Sequence, residues 1–340
     1  MSEVVLDVRG LSVVFPTHEG EVRAVSGLTY KLHRGETLGI VGESGSGKSV
    51  SSLALMGLHN RERTRIVGEA IFGGRNILSL STKEMQDIRG KDIAMIFQDP
   101  FACLHPMHRI GDQIVEAILV HADISKKQAE RQAVELLREV GIPRAGDRFK
   151  DFPHQFSGGM RQRVMIAMAL VHSPSVLIAD EPTTALDVTV QAQILELIER
   201  VKNDFNVGVI LITHDLGVIA ETADTVLVMY AGREMEYGPA REIFKAPQHP
   251  YTWGLLRSMP TIEARLKELV AIEGTPPSLV AVPPGCPFHP RCSYAFAPCP
   301  VELPELRPLA GGHLDRCHLS PEMKTELGAA NVAERLGAVG

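Results

Sequence analysis

The eight residues Gly42-Glu43-Ser44-Gly45-Ser46-Gly47-Lys48-Ser49 constrain this chain more than any other feature, because they fit the pattern G-x-x-x-x-G-K-[ST] in full. They follow an apolar run, Leu38 to Val41, and precede a second one, Val50 to Leu58. A strand that turns through glycines into a helix is the context that separates a phosphate-binding loop from a chance Gly/Ser turn. Glycines let the backbone curl until successive N–H groups face an anion, Lys48 adds a positive charge, and the Ser49 hydroxyl can ligate Mg²⁺. A helix over Val50 to Leu58 points the positive end of its dipole at the same place. The expected phosphate contacts are therefore Gly42, Ser44, Gly45, Gly47, Lys48 and Ser49.

Other apolar runs bounded by turn residues read as strands: Val4 to Val8, Thr37 to Val41, Ile93 to Phe97, Val176 to Ala179 and Val207 to Thr213. Several are apolar at consecutive positions, the pattern of strands buried on both faces of a sheet. Helical patterns lie between them, including Lys126 to Val140, with Ser125 and Gln128 spaced as a capping box and Gly141 as a stop. This alternation predicts an α/β fold with a largely parallel sheet. The helical interval from about Gly111 to Leu170 reads as a lobe inserted between two strands.

A hydrophobic content of 44% and a charged content of 22% are ordinary for a folded soluble protein. No run reaches the ~18 uninterrupted apolar residues of a membrane helix, and the opening MSEVVLDVRG lacks the basic and apolar regions of a secretion signal. The expected compartment is the cytoplasm. A formal net charge of -6 without a long Lys/Arg block argues against nucleic acid as a partner.

The run Val176-Leu177-Ile178-Ala179-Asp180-Glu181 ends a strand in two acids. At the carboxyl end of a parallel strand near a phosphate loop, Asp180 is placed to hold Mg²⁺ through water, and Glu181 to polarise an attacking water as general base. Ser157 precedes the helical run Arg161 to Leu170 as an N-cap, and Gly158 and Gly159 permit close backbone approach to an anion. Gln98 follows the strand Ile93 to Phe97, where its amide can ligate Mg²⁺ or sense the phosphate. His214 follows Val207 to Thr213 and offers a neutral donor to a phosphate oxygen.

Phe156-Ser157-Gly158-Gly159-Met160 resembles the signature motif of ATP-binding cassette (ABC) proteins. The order of phosphate loop, Gln98, signature, Asp180-Glu181, the D-loop Ala185-Leu186-Asp187 and His214 is similar to that family over roughly Val4 to Met259. The resemblance implies an ABC-type P-loop NTPase with an inserted helical subdomain at about 100–170, a nucleotide-binding domain over 1–260 and an extension over 261–340. It implies ATP and Mg²⁺ as cofactors, and hydrolysis in a head-to-tail dimer where the signature of one cassette closes over ATP on the other. Lys48, Glu181 and His214 would be catalytic; Ser49, Gln98 and Asp180 would hold Mg²⁺; Ser157, Gly158, Gly159 and Asp187 would contact ATP. Phe15 would stack on adenine, with Tyr30 competing for the role. Met160 departs from the usual signature Gln, and Thr184 opens the D-loop where Ser is commoner; neither removes a catalytic group.

Beyond about Pro260 proline becomes dense, from Pro276 to Pro308, and periodic apolar pattern fades. A loop-rich region of this kind is hard to hold by core burial alone, so a bound metal would have a structural purpose. Cys286, Cys292, Cys299 and Cys317 are spaced C-x5-C-x6-C-x17-C, and Pro287 and Pro300 each follow a cysteine. In a cytosolic protein such a cluster points to metal before disulfide. Cys103 has no partner in sequence and reads as a packing residue. The stretches Ala246 to Thr252 and Gly285 to Cys292, with Phe97 to Pro100, look like the ATP-binding subunits of bacterial dipeptide, oligopeptide and nickel importers. That resemblance implies a metal-binding extension with a [4Fe–4S] cluster on the four cysteines. Zn²⁺, with His289, His313 and His318 nearby, and unligated or disulfide cysteines stay open as alternatives. It further implies two transmembrane permease subunits, a second ABC ATPase subunit, identical or homologous, and an indirect extracytoplasmic solute-binding protein. The setting would be the cytoplasmic face of the membrane, and the cargo dipeptides or oligopeptides, with nickel or glutathione as alternatives. The rival from another class is a soluble ABC ATPase regulated by a metal or redox centre.

Overall fold

The computed structural model describes residues 3–184, 186–259 and 271–336; Ala185 of the expected D-loop and the expected domain boundary at 260/261 lie outside them. In chain order the strands are β1 (Val4–Thr17), β2 (Gly20–His33), β3 (Thr37–Val41), β4 (Arg65–Phe72), β5 (Arg75–Asn76), β6 (Ile93–Ile96), β7 (Val176–Asp180), β8 (Gly208–Ile212), β9 (Thr225–Tyr230), β10 (Arg233–Pro239), β11 (Arg307–Pro308) and β12 (Leu314–Asp315). The chain divides into two compact units.

The first unit contains Leu32–Glu36 and Phe72–Ile212 with the start of the chain. Here β6, β7 and β8 pair in parallel, with Ile93 opposite Val176 and Val176 opposite Gly208. Every residue of these strands is buried, which is why their sequences show no alternation. The interval read as a helical lobe contains the helices Ile110–Leu119, Lys126–Glu139 and Gly158–Leu170. Ile110, Ile114 and Ile118 on its first helix and Ala129, Ala133 and Leu137 on the second recur at four-residue steps and are all buried. The capping box is present as read. Ser125 N–H donates to Gln128 Oε1 at 2.9 Å, and Gln128 N–H donates to Ser125 Oγ at 3.3 Å.

The second unit contains Asp7–Lys31, Thr37–Ile71 and the chain from Thr213 onward. Here β3 and β9 pair in parallel, Leu38 opposite Thr225 through Val41 opposite Val228. β9 turns back into β10 through Ala231 and Gly232, both with positive φ, the conformation of a tight hairpin. β10 then pairs antiparallel with β12, and β12 with β11. A separate sheet contains β2, β1 and β4 in that order. The expected largely parallel sheet is thus corrected to a mixed one, because tight turns feed antiparallel partners onto the parallel core.

The proline-rich extension belongs to this second unit and is held by buried polar pairs rather than by a large apolar core. Glu236, fully buried, accepts hydrogen bonds from Gln248 N–H at 2.6 Å and His249 N–H at 3.1 Å, and pairs with His313 Nε2 at 2.7 Å. Arg316 Nη2 lies 2.6 Å from Glu234 Oε1, and Lys324 pairs with Asp315 with both side chains out of solvent. Trp253, Cys317 and Leu319 supply a small apolar cluster. The tail forms a helix, Pro321–Leu336. Among the described residues no helix is long and apolar enough to cross a membrane.

Candidate functional site

In the second unit, β3 delivers the chain into the glycine-rich loop, and the helix Lys48–Leu55 leaves it. The helix begins two residues before the expected Val50, because Gly47 caps it in a left-handed conformation, φ 101°. Gly42, φ 149°, has no room for a side chain: a Cβ there would lie 2.1 Å from Met229 O. Lys48 is 6% exposed, and its Nζ donates to Gly42 O at 2.7 Å and Glu43 O at 3.1 Å. The ammonium is therefore fixed against the loop's own carbonyls, at the mouth of a helix whose first N–H groups have no side-chain cap. Ser44 and Gly45 are exposed at the crest of the loop, and Ser49 is half-buried at the helix start.

Phe15 and His214 belong to the same unit. Phe15 is half-buried and meets the His59 ring edge-on at 5.3 Å between centroids. Tyr30, its competitor for an adenine stack, is 3% exposed, and burial raises its pKa, so its ring offers no face to a ligand. His214 is exposed two residues beyond the end of β8, ahead of the helix Leu216–Thr222 that Asp215 caps.

In the first unit, Asp180 is the buried last residue of β7 and Glu181 follows with φ 47°. A non-glycine residue in that region carries roughly 1 kcal/mol of strain, of a kind that clusters at functional sites. The carboxylate is held from two sides: Glu181 Oε2 accepts from Gln98 Nε2 at 2.8 Å and from Thr184 Oγ1 at 2.8 Å. Ser157 caps the helix Gly158–Leu170, its Oγ accepting from Met160 N–H at 3.3 Å. A Cβ on Gly159 would lie 2.7 Å from Val190 Cγ1, so this glycine admits the neighbouring helix Val188–Phe205. Asp187 caps that helix through Val190 N–H at 2.9 Å, which commits one of its oxygens to structure.

The expected metal centre in the extension is not formed as read. Among the described residues no group of three or more His, Cys, Asp or Glu side chains is spaced to hold a metal ion. All five cysteines are free thiols, so the disulfide alternative is absent too. Cys286, Cys292, Cys299 and Cys317 nevertheless line one small pocket, together with His249, His289 and His318. Burial pushes the thiols of Cys286, Cys292 and Cys317 up to about 11, and neighbouring cysteines add to it. Burial likewise brings His249 down to about 3; its Nδ1 accepts from Tyr251 N–H at 3.0 Å.

Sequence reasoning missed two groups. Thr184 enters the sequence pattern only as a departure from a motif, although its position three residues after Glu181 is a signal that its hydroxyl can reach back. Arg291, which pairs with Glu43 of the loop at 2.6 Å, gave no signal, because 248 residues separate the two.

The chain matches the ABC transporter family model over residues 25–184 and the model described as the oligopeptide/dipeptide transporter C-terminal region over residues 235–299. It is 52% identical over 316 residues to the oligopeptide transport ATP-binding protein OppD of Salmonella typhimurium, covering 93% of this chain and 94% of that protein. It is 51% identical over 321 residues to the dipeptide transport ATP-binding protein DppD of Bacillus subtilis, covering 94% and 96%. An ATP-binding cassette solved as a dimer in a post-hydrolysis state with ADP and Pi shares the fold, with a TM-score of 0.62, 24% identity, and coverage of 69% of this chain and 99% of that one. With identity of this level along almost the whole chain, and a matching model for the extension as well as for the cassette, the protein belongs to the ABC transporter family, among the ATP-binding subunits of oligopeptide and dipeptide transport.

Proposed function

We propose that this chain hydrolyses ATP to power the uptake of dipeptides or oligopeptides. The observation that carries the reading is the phosphate loop: two of its glycines have positive φ and no space for a Cβ, and a buried lysine is fixed on its carbonyls. In this reading residues 1–260 form the nucleotide-binding domain, with the helical subdomain at about 100–170, and residues 261–340 the extension.

Gly42, Ser44, Gly45, Gly47 and Lys48 hold the ATP phosphates, and Phe15 lies against adenine. Ser49, Gln98 and Asp180 offer hydroxyl, amide and carboxylate oxygens, the hard donors that suit Mg²⁺, which when bound neutralises charge on the β- and γ-phosphates. Glu181 accepts a proton from the attacking water as its oxygen bonds to the γ-phosphorus; the bond to the bridging oxygen breaks, leaving ADP and phosphate. Gln98 and Thr184 orient that carboxylate. His214 donates to a γ-phosphate oxygen. Ser157, Gly158 and Gly159 present a helix start to the ATP held by a second cassette subunit, and Asp187 positions that helix junction. The opening and closing of the pair passes to two permease subunits at the cytoplasmic face of the membrane, with a solute-binding protein acting indirectly from the far side.

The four cysteines we assign to a [4Fe–4S] cluster; the support is their shared pocket and unpaired thiols. Protein prepared without oxygen is expected to be brown, with broad visible absorption. A colourless sample carrying stoichiometric zinc would overturn the assignment in favour of a zinc site.

For the transport role, the complex carrying this chain should be isolated from its own membranes in mild detergent and its components identified by mass spectrometry. Two multi-span permeases, with ATPase activity stimulated by a peptide-loaded binding protein, are expected. Stimulation by nickel or glutathione instead would change the cargo, and recovery with ribosomes or nucleic acid would remove the transport role.

A further inference from the structure

An ion pair that no motif contains joins the extension to the phosphate loop. Arg291, in the short turn His289–Arg291, directs both terminal nitrogens at Glu43: Nη1 lies 2.6 Å from Oε2 and Nη2 3.0 Å from Oε1. This is the two-point geometry in which arginine binds a carboxylate most strongly. The Arg291 side chain is 5% exposed and that of Glu43 26%.

The guanidinium is held at every nitrogen. Nε donates to Glu273 O at 2.9 Å, Nη2 to Ile272 O at 3.1 Å, and Nη1 to Tyr230 Oη at 3.3 Å. Glu43 is gripped a second time through its backbone, since its N–H donates to Tyr251 Oη at 2.9 Å. Tyr251 is itself buried against Tyr230 and Phe288. On its other side Glu43 presents its carbonyl to Lys48 Nζ. A continuous set of contacts therefore runs from the extension through Glu43 to the lysine that meets phosphate.

A loop with positive-φ glycines on both sides of Glu43, at Gly42 and Gly45, has a backbone that is costly to order. It also carries a carboxylate within the loop read as the phosphate site. We propose that Arg291 is a positioning residue for the phosphate loop: by pairing with Glu43 it holds the loop and Lys48 in the arrangement that accepts ATP, and it neutralises a charge that would repel the incoming phosphates. This rests on the reading of the loop as the ATP site.

The test measures MgATP affinity calorimetrically on the full-length chain, for the native protein and for Arg291→Met, Arg291→Lys, Glu43→Gln and the Arg291→Met/Glu43→Gln pair. Arg291→Met is expected to weaken ATP about 10-fold, the scale of a broken charge pair. Arg291→Lys should fall between it and the native chain, because an ammonium cannot make the two-point contact. Adding Glu43→Gln to Arg291→Met should recover part of the loss by removing the unpaired carboxylate. In the assembled complex kcat at saturating ATP should stay within about twofold while KM rises, the signature of lost ground-state binding. If Arg291→Met lowers thermal stability yet binds ATP as the native chain does, Arg291 only anchors the extension and the inference is overturned. Should Arg291→Met fail to fold, an unchanged affinity in both Arg291→Lys and Glu43→Gln overturns it equally. A Lys48→Ala control separates the two levels: undiminished ATP binding in that variant overturns the ATP-site reading itself.

Discussion

Replacing Glu181 by glutamine is expected to leave ATP binding intact and to lower hydrolysis by about 10²- to 10⁴-fold, the usual contribution of a positioned general base. The substitution is close to isosteric. The retained amide oxygen can still accept from Gln98 Nε2 and Thr184 Oγ1, the two groups that hold the native carboxylate. The backbone keeps its φ of 47°, anchored by the Glu181 N–H bond to Ile212 O at 2.8 Å. Only the basicity is lost, so the loss should fall on kcat and not on affinity. Phosphate release at saturating ATP, measured beside a binding titration, checks this. Near-normal turnover would remove Glu181 from the mechanism.

The second large effect is expected from Gly47→Ala, set against Gly45→Ala in the same loop. Gly47 has φ 101°, and a Cβ there would lie 2.2 Å from Ala24 O, a backbone atom that cannot turn aside. The loop must shift, taking Lys48 with it, and ATP binding should weaken by more than about 100-fold, with a lowered melting temperature. Gly45 has φ 77° but nothing within 4 Å of the same construction. Alanine there meets only the left-handed penalty of roughly 1–2 kcal/mol, and ATP should still bind within about 10-fold of the native affinity. Equal behaviour of the two variants would show that close packing at Gly47 is not what shapes the loop.

The elements readable from sequence share a physical cause. β3, β6, β7 and β8 are buried at every position, so their apolar runs stand out. β10 does not, because Glu234 and Glu236 are buried within it, each paired with a residue far along the chain, Arg316 and His313. A strand whose buried positions are carboxylates has no hydrophobic signature. β11 and β12 are two residues each, below what any pattern can register. The Ser125 cap was legible because its partner is three residues away. The choice between Phe15 and Tyr30 was not, since both sit in strand-like surroundings and only packing buries Tyr30.

The sequence by itself determined what is contiguous: the glycine-rich turn into the helix Lys48–Leu55, the adjacent acids Asp180 and Glu181 at the end of β7, and the Ser157 cap, where local geometry depends on residue types at short fixed spacing. Tertiary structure alone decided which distant groups meet them. Gln98 reaches Glu181 across 83 residues, Arg291 reaches Glu43 across 248, and four cysteines share one pocket without the close spacing of a single-ion site. Spacing along a chain specifies local backbone geometry, but contact between remote side chains depends on how strands are ordered and turns close. That information is spread over the whole core and resides in no one motif.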